Sequence, residues 1–237
     1  MKMKVTYLGS RIHIAQTLAD IEVIEPLVVI DAVTLNREEL VEKIEIAASA
    51  STRLLIRPEI INEDLSGSAT EYLSWIDAVQ SKICEFGETR ILNLPRQVED
   101  WKEDIKQVVK YHSLVLIEPA KVMSLVSREQ AAESLRGAVA AAASGADIPA
   151  STVFGAVPTD RVIEILSSEL GYRVGLEPAK PSDLFDAMID AGMNPTLSSR
   201  VIGAQQLVVS DSVTAVGTYE ALTEFKKYVR KTVSEGR

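Results

Sequence analysis

Along the whole chain, short runs of Val, Ile and Leu alternate with longer stretches in which apolar residues recur every three or four positions. The runs have the pattern of buried strands, and the stretches that of amphipathic helices. They predict strands over 5–8, 27–32, 53–57, 90–94 and 114–117, and helices over 12–20, 37–48, 68–86, 98–111 and 127–145. Asn36 with Glu39, Ser68 with Glu71, and Ser127 with Gln130 have the three-residue spacing of a capping box. Gly87 and Gly145 stand where two of these helices should stop. Beyond Gly145 the alternation continues, with strands over 152–155, 172–176 and 207–216 and helices over 158–170, 182–191, 198–204 and 219–232. Asp211-Ser212 offers a hairpin turn inside the last strand run; alternatively only 207–210 is a strand.

Strands separated by helices require crossover connections, hence a mainly parallel sheet covered by helices on both faces. Such an α/β fold is Rossmann-like, and the hairpin would give it an antiparallel C-terminal edge. A closed (β/α)8 barrel is the alternative, because eight candidate strands can be counted. Their uneven spacing favours the open sheet. The expected organisation is an N-terminal α/β region over 1–145 and a C-terminal α/β extension over 146–237, packed on the same sheet.

Charge and composition narrow the partners. The 237 residues carry 34 acids against 25 Lys and Arg, a formal charge of −9, which argues against nucleic acid or an anionic membrane. No apolar run approaches the ~20 residues of a membrane helix, and none follows Lys2 and Lys4 as a signal core would. A cytoplasmic protein is expected. A single cysteine, Cys84, allows no internal disulfide, and with only His13 and His112 no metal site is expected. Cys84 reads as a small core residue of its helix, and His112 as structural. The small-residue stretch from Gly137 to Gly145 suits close packing and, across an interface, a homodimer.

Ligands of parallel α/β sheets bind beyond the carboxyl ends of the strands, so the residue types there carry the information. The first strand ends in Gly9-Ser10-Arg11 with His13 one turn on, and the second in Asp31, 22 residues beyond Gly9. The third ends in Arg57-Pro58-Glu59, the fourth in Asn93-Leu94-Pro95-Arg96, the fifth in Glu118-Pro119 and the seventh in Glu177-Pro178. The prolines serve as strand stops. A turn at the first strand with an acid closing the second is the arrangement that seats an adenosine-type cofactor, with Gly9 and Ser10 toward its backbone and Asp31 toward its ribose. A full G-x-G-x-x-G is absent, which disfavours a pyrophosphate-bearing dinucleotide there. Arg11, Arg57 and Arg96 are the cations of this rim, suited to a carboxylate or phosphate. His13 is a candidate substrate contact or base.

Asn93-Leu94-Pro95 resembles the Asn-Leu-Pro loop found at the same strand in class I S-adenosylmethionine methyltransferases. The aromatic residue that follows the proline there is Arg96 here. The resemblance implies S-adenosyl-L-methionine as cofactor and Asn93 as the group that orients the substrate. The leading expectation is therefore a methyltransferase, a transferase acting on a small polar substrate. Cofactor would lie at Gly9, Ser10 and Asp31, Asn93, Glu118 and Glu59 would do the chemistry, and Arg57, Arg96 and His13 would bind substrate. A cofactor-free lyase or isomerase on a barrel, with Glu59, Glu118 and Glu177 as acids and bases, is the second reading. A non-catalytic ligand-binding or assembly protein is the third.

Overall fold

The computed structural model of the chain describes residues 2–34, 43, 45–60, 65, 67–117, 121–148, 156–210 and 219–235. It divides into two compact units, each assembled from three stretches of sequence. The first holds Met1–Pro58, Ser74–Leu94 and Glu129–Val153; the second holds Glu59–Leu73, Pro95–Arg128 and Phe154–Arg237.

In the first unit, β1 (Met3–Lys4) pairs antiparallel with β3 (Glu22–Val23). A parallel sheet is built from β2 (Thr6–Leu8), β4 (Leu27–Asp31), β5 (Thr52–Pro58) and β6 (Thr89–Leu94). Every residue of β4 is buried, as is every residue of 53–56 in β5. This is why both read as unbroken apolar runs rather than alternating ones. The strand order is β2-β4-β5-β6, the order of the chain itself. It lacks, within these four strands, the reversal that marks the ligand crevice of doubly wound sheets. Arg53 is buried in β5; its Nε and Nη2 donate to the carbonyls of Ala47 (2.7 Å), Ala48 (3.0 Å) and Ala50 (2.8 Å). Those are the unpaired acceptors at the end of helical residues 45–49, where a cation is favoured.

The second unit contains β7 (Ser113–Ile117), parallel to β10 (Gly175–Ala179), and an antiparallel trio in which β8 (Val122–Ser124) lies between β9 (Ala156–Pro158) and β11 (Val209–Ser210). Its core gathers around Trp101 and Phe225, whose rings meet edge to face at 5.4 Å, with Ile105, Val108, Leu114, Val162, Leu166 and Val229 about them. Helix Lys102–Tyr111 ends on His112, held at φ 61°, its ring centre 4.3 Å from that of Tyr172 and tilted 38° to it. Helix Thr159–Leu170 ends on Gly171 at φ 76°, and Asn194 caps helix Pro195–Leu207 by accepting from the amides of Thr196 and Leu197.

The fold is mixed α/β with a mainly parallel sheet flanked by helices, as the alternation predicts, and among the described residues no barrel closes. The antiparallel edge strand near the C-terminus is β11, which pairs with β8. The Asp211-Ser212 turn, the strand over 152–155 and Glu118 lie outside the described residues. β10 runs through Pro178 instead of stopping before it. Among the described residues it borders β7 alone, and an edge strand tolerates a missing N–H. Cys84 is exposed rather than in the core. It sits one residue past buried Ile83, so the helical rotation carries it off the buried face. No helix among the described residues is long and apolar enough to cross a membrane.

Candidate functional site

Parallel pairing of β2 with β4 places the turn after β2 beside the end of β4, and this brings Gly9, Ser10 and Asp31 together. Asp31 is completely buried, and Arg11 forms a two-pronged ion pair with it: Nε to Oδ2 at 2.7 Å and Nη2 to Oδ1 at 2.8 Å. The Tyr7 hydroxyl donates to the same Oδ2 at 2.8 Å, and the amide of Val33 donates to Oδ1 at 3.2 Å. A carboxylate has about four acceptor positions, so these bonds saturate it.

The turn amides are engaged as well. The amide of Ser10 donates to Thr34 Oγ1 at 3.1 Å, and the amide of Arg11 to the Tyr7 hydroxyl at 3.3 Å. Gly9 is required by the cluster itself. A Cβ there would meet the Tyr7 hydroxyl, come within 2.6 Å of the carbon that bears it, and lie 2.7 Å from Asp31 Cβ. The absence of a Cβ at Gly9 makes room for the phenol of Tyr7.

Burial, and then the Asp31 carboxylate, push the Tyr7 pKa well above the ordinary tyrosine value. A raised pKa means that the folded state holds this proton more tightly than the unfolded one. The resulting stabilisation is complete below about pH 10, the unfolded value, and is lost as pH rises beyond it. Melting temperature measured from pH 8 to 11 should therefore fall more steeply for the native protein than for Tyr7→Phe. Parallel curves would remove Tyr7 from the cluster.

The remaining predicted site residues divide between the units. Arg57 and Asn93 are register partners at the ends of β5 and β6. Asn93 is exposed. The Arg57 guanidinium is bound to Asp77 at 2.8 Å and to Gln80 Oε1 at 2.5 Å, one turn apart on helix Ser68–Cys84. His13 is half-buried in the first turn of helix Ile12–Ala19. In the second unit, Glu59 accepts from the Ser124 hydroxyl at 3.1 Å, and the same hydroxyl accepts from the Arg96 amide at 3.0 Å. The Arg96 guanidinium pairs with Asp104, donates to the Asp100 carbonyl at 3.0 Å and lies 4.2 Å from the centre of the Trp101 ring. Arg57 and Arg96 thus both have internal partners. Tyr7 and Thr34 were not anticipated as members of the site; the signal available was an arginine two residues past the turn's glycine.

No family model matches the chain, and no curated protein matches it by sequence. Solved structures match it in fold. The NADPH-dependent quinone oxidoreductase of Escherichia coli, in complex with NADPH, superposes with a TM-score of 0.55 at 9% identity, over 98% of this chain and 94% of its own. Triphenylmethane reductase of a Citrobacter species gives 0.54 at 11%, over 98% and 100%. A nucleoside-diphosphate-sugar epimerase of Staphylococcus aureus gives 0.52 at 13%, over 96% and 95%.

The expectation of an S-adenosyl-L-methionine methyltransferase is corrected by these findings. Of the three structures named, two are reductases and one an epimerase, and one of the reductases holds NADPH. The barrel lyase falls with the barrel.

For a nicotinamide dinucleotide the fit is limited to its adenosine end. A helix N-terminus, two turn amides, an acid and a guanidinium are the groups that the ribose and phosphates of that end require. Across β2, no further strand among the described residues completes the crevice for the other half.

Proposed function

We propose that the chain is a nucleotide-linked oxidoreductase-type protein whose ligand class is NADP(H), bound by its phosphorylated adenosine end at the β2 turn. The observation that carries this reading is the joint presence of Asp31 and Arg11 at the end of β4 and in the turn beside it. An acid at that place accepts from the ribose 2′-hydroxyl in NAD; in NADP that oxygen carries the phosphate, so the arginine takes the 2′-phosphate and the acid is left the 3′-hydroxyl. The reductase names among proteins of this fold support the same class.

Within this reading Asp31 would accept from the ribose, the amides of Ser10 and Arg11 would donate to phosphate, and the Arg11 guanidinium would pair with the 2′-phosphate. A bound nicotinamide supplies or accepts hydride. None of these contacts can form while Asp31 and Arg11 hold one another, so binding requires them to part.

Titration with NADPH, followed by its fluorescence, should give saturable binding. Adenosine 2′,5′-bisphosphate should compete as well as NADP+ does, because only the adenosine end is held. S-adenosylmethionine should not compete. Absence of saturation at millimolar NADPH overturns the reading.

A further inference from the structure

We propose that Glu99 is a proton-operated clasp on the C-terminal helix of the second unit: the helix is held firmly when the Glu99 carboxyl is protonated and loosely when it is ionised. The clasp is independent of any nucleotide. Glu99 lies in the single 3-10 turn Val98–Trp101, and helix Tyr219–Glu235 packs across that turn. Two residues of the helix, one turn apart on the same face, bear on residue 99. Tyr228 donates its hydroxyl to the Glu99 carbonyl at 3.4 Å, and Glu224 brings a second carboxylate. Both carboxylates converge on Arg128. Its amide donates to the two oxygens of Glu224 at 3.1 Å each, and its Nε stands 3.9 Å from Glu99 Oε1.

The two ends of residue 99 are therefore at odds. Its main chain is bonded to the C-terminal helix, while its side chain meets a like charge carried by that same helix. Glu99 Oε2 is buried and, among the described residues, has no hydrogen-bond partner. A separation of 3.9 Å is too long for a hydrogen bond, so Arg128 Nε offsets the charge on Glu99 without satisfying it. A buried oxygen in that position is costly while it is ionised, and a proton relieves it. The charged groups around the carboxyl are Asp100 on its own turn, Arg128 at the start of helix Arg128–Ser144, and Glu224 on the C-terminal helix, where Tyr228 is the further titratable group. Burial first, then Glu224 and Asp100, push the Glu99 pKa above the ordinary glutamate value, against the pull of its own amide and of Arg128.

A raised pKa means that the folded state holds this proton more tightly than the unfolded one. The stability it adds is complete below about pH 4.3, the unfolded value, and is lost as pH rises through the higher folded value. The loss falls on the C-terminal helix, because the repelled carboxylate of Glu224 and the tie from Tyr228 both belong to it. That helix enters the core through Ala221, Phe225 and Val229, on the side away from solvent. Loosening at Glu224 and Tyr228 thus opens the helix locally before the core is lost, which is the kind of opening that amide exchange reads.

Hydrogen exchange of segment 219–235, followed by mass spectrometry on the full chain, tests the clasp. Native protein is compared with Glu99→Gln, a neutral mimic of the protonated acid, at one pH at a time, so that intrinsic exchange rates cancel. Near pH 4.3 the segment should exchange alike in both. At pH 7.5 it should exchange several-fold faster in the native protein. If Glu99→Gln fails to fold by circular dichroism, the native protein alone decides: protection of 219–235 relative to that of β4 and β5 should fall between the two pH values. Equal exchange at pH 7.5, faster exchange in the variant, or unchanged relative protection in the native protein overturns the clasp. So does a difference of the same size at both pH values, because a merely structural role of residue 99 does not titrate.

Discussion

Replacing Arg11 with methionine should lower the melting temperature by about 10 °C, a cost far beyond that of losing an exposed charge. The substitution keeps the bulk of the side chain and removes only the cation. Asp31 then remains fully buried with the Tyr7 hydroxyl and the Val33 amide as its donors. Breaking a buried ion pair by removing one partner costs about 3–5 kcal/mol. For a chain of this length each kcal/mol corresponds to roughly 2–4 °C. Removing both charges, in Arg11→Met with Asp31→Asn, should restore much of the loss, because the stranded carboxylate was its main source. Arg230→Ala supplies the contrast. Its two-pronged bond to Glu169 has similar lengths, 2.8 and 3.1 Å, but the arginine side chain is 70% exposed. Calorimetric melting of the four proteins checks the argument. An Arg11→Met protein that melts within ~2 °C of the native one would show that Asp31 does not depend on its cation.

Why this cluster was only half legible in the sequence has a physical answer. Gly9, Ser10 and Asp31 were found because a turn and an acid at the ends of adjacent parallel strands must be neighbours, whatever else the fold does. Their hydrogen-bond partners do not follow from spacing. Tyr7 lies within a strand, and only the close approach permitted by Gly9 turns its phenol into a ligand of Asp31. The linear pattern places Arg11 on the rim but does not show that its guanidinium meets the carboxylate closing the next strand. Arg57 repeats the lesson, since Asp77 and Gln80 are spaced so that one helix face presents both to it.

At the level of the fold, what was legible depended on length and burial. β4 and β5 are long and apolar enough to announce a parallel sheet covered on both faces. β1, β3 and β11 have two residues each, too few for any period to emerge. Strand order was not legible either. Alternating strands and helices are equally compatible with an order that follows the chain and with one that reverses, and only the pairing of β5 with β6 decides between them.

Two glycines within helices should respond in opposite directions to the same substitution, and the larger effect belongs to Gly203. Helix Pro195–Leu207 approaches the start of helix Ser68–Cys84 so closely that a Cβ on Gly203 would meet the Ser68 carbonyl oxygen, lie 2.6 Å from Tyr72 Cβ and 2.9 Å from the Ser68 carbonyl carbon. These neighbours are main-chain atoms and a Cβ, so they cannot turn aside as the end of a long side chain would. The contact is further fixed by Ser199, whose hydroxyl donates to Glu71 at 2.5 Å, one turn along the same face. Gly203→Ala must push the helices apart, and overpacking of this kind costs about 1–3 kcal/mol against a helix-propensity gain of ~1 kcal/mol. Gly203→Val adds two methyl groups and a stiff χ1, so it should cost more than alanine and is the variant expected to melt lowest. Gly137, in helix Arg128–Ser144, has nothing within 4 Å of the position a Cβ would take. There alanine meets no resistance, and stability should rise by up to about 1 kcal/mol. Melting curves of Gly137→Ala and Gly203→Ala that move in the same direction would contradict the packing assigned to Gly203, because helix propensity alone predicts that both rise.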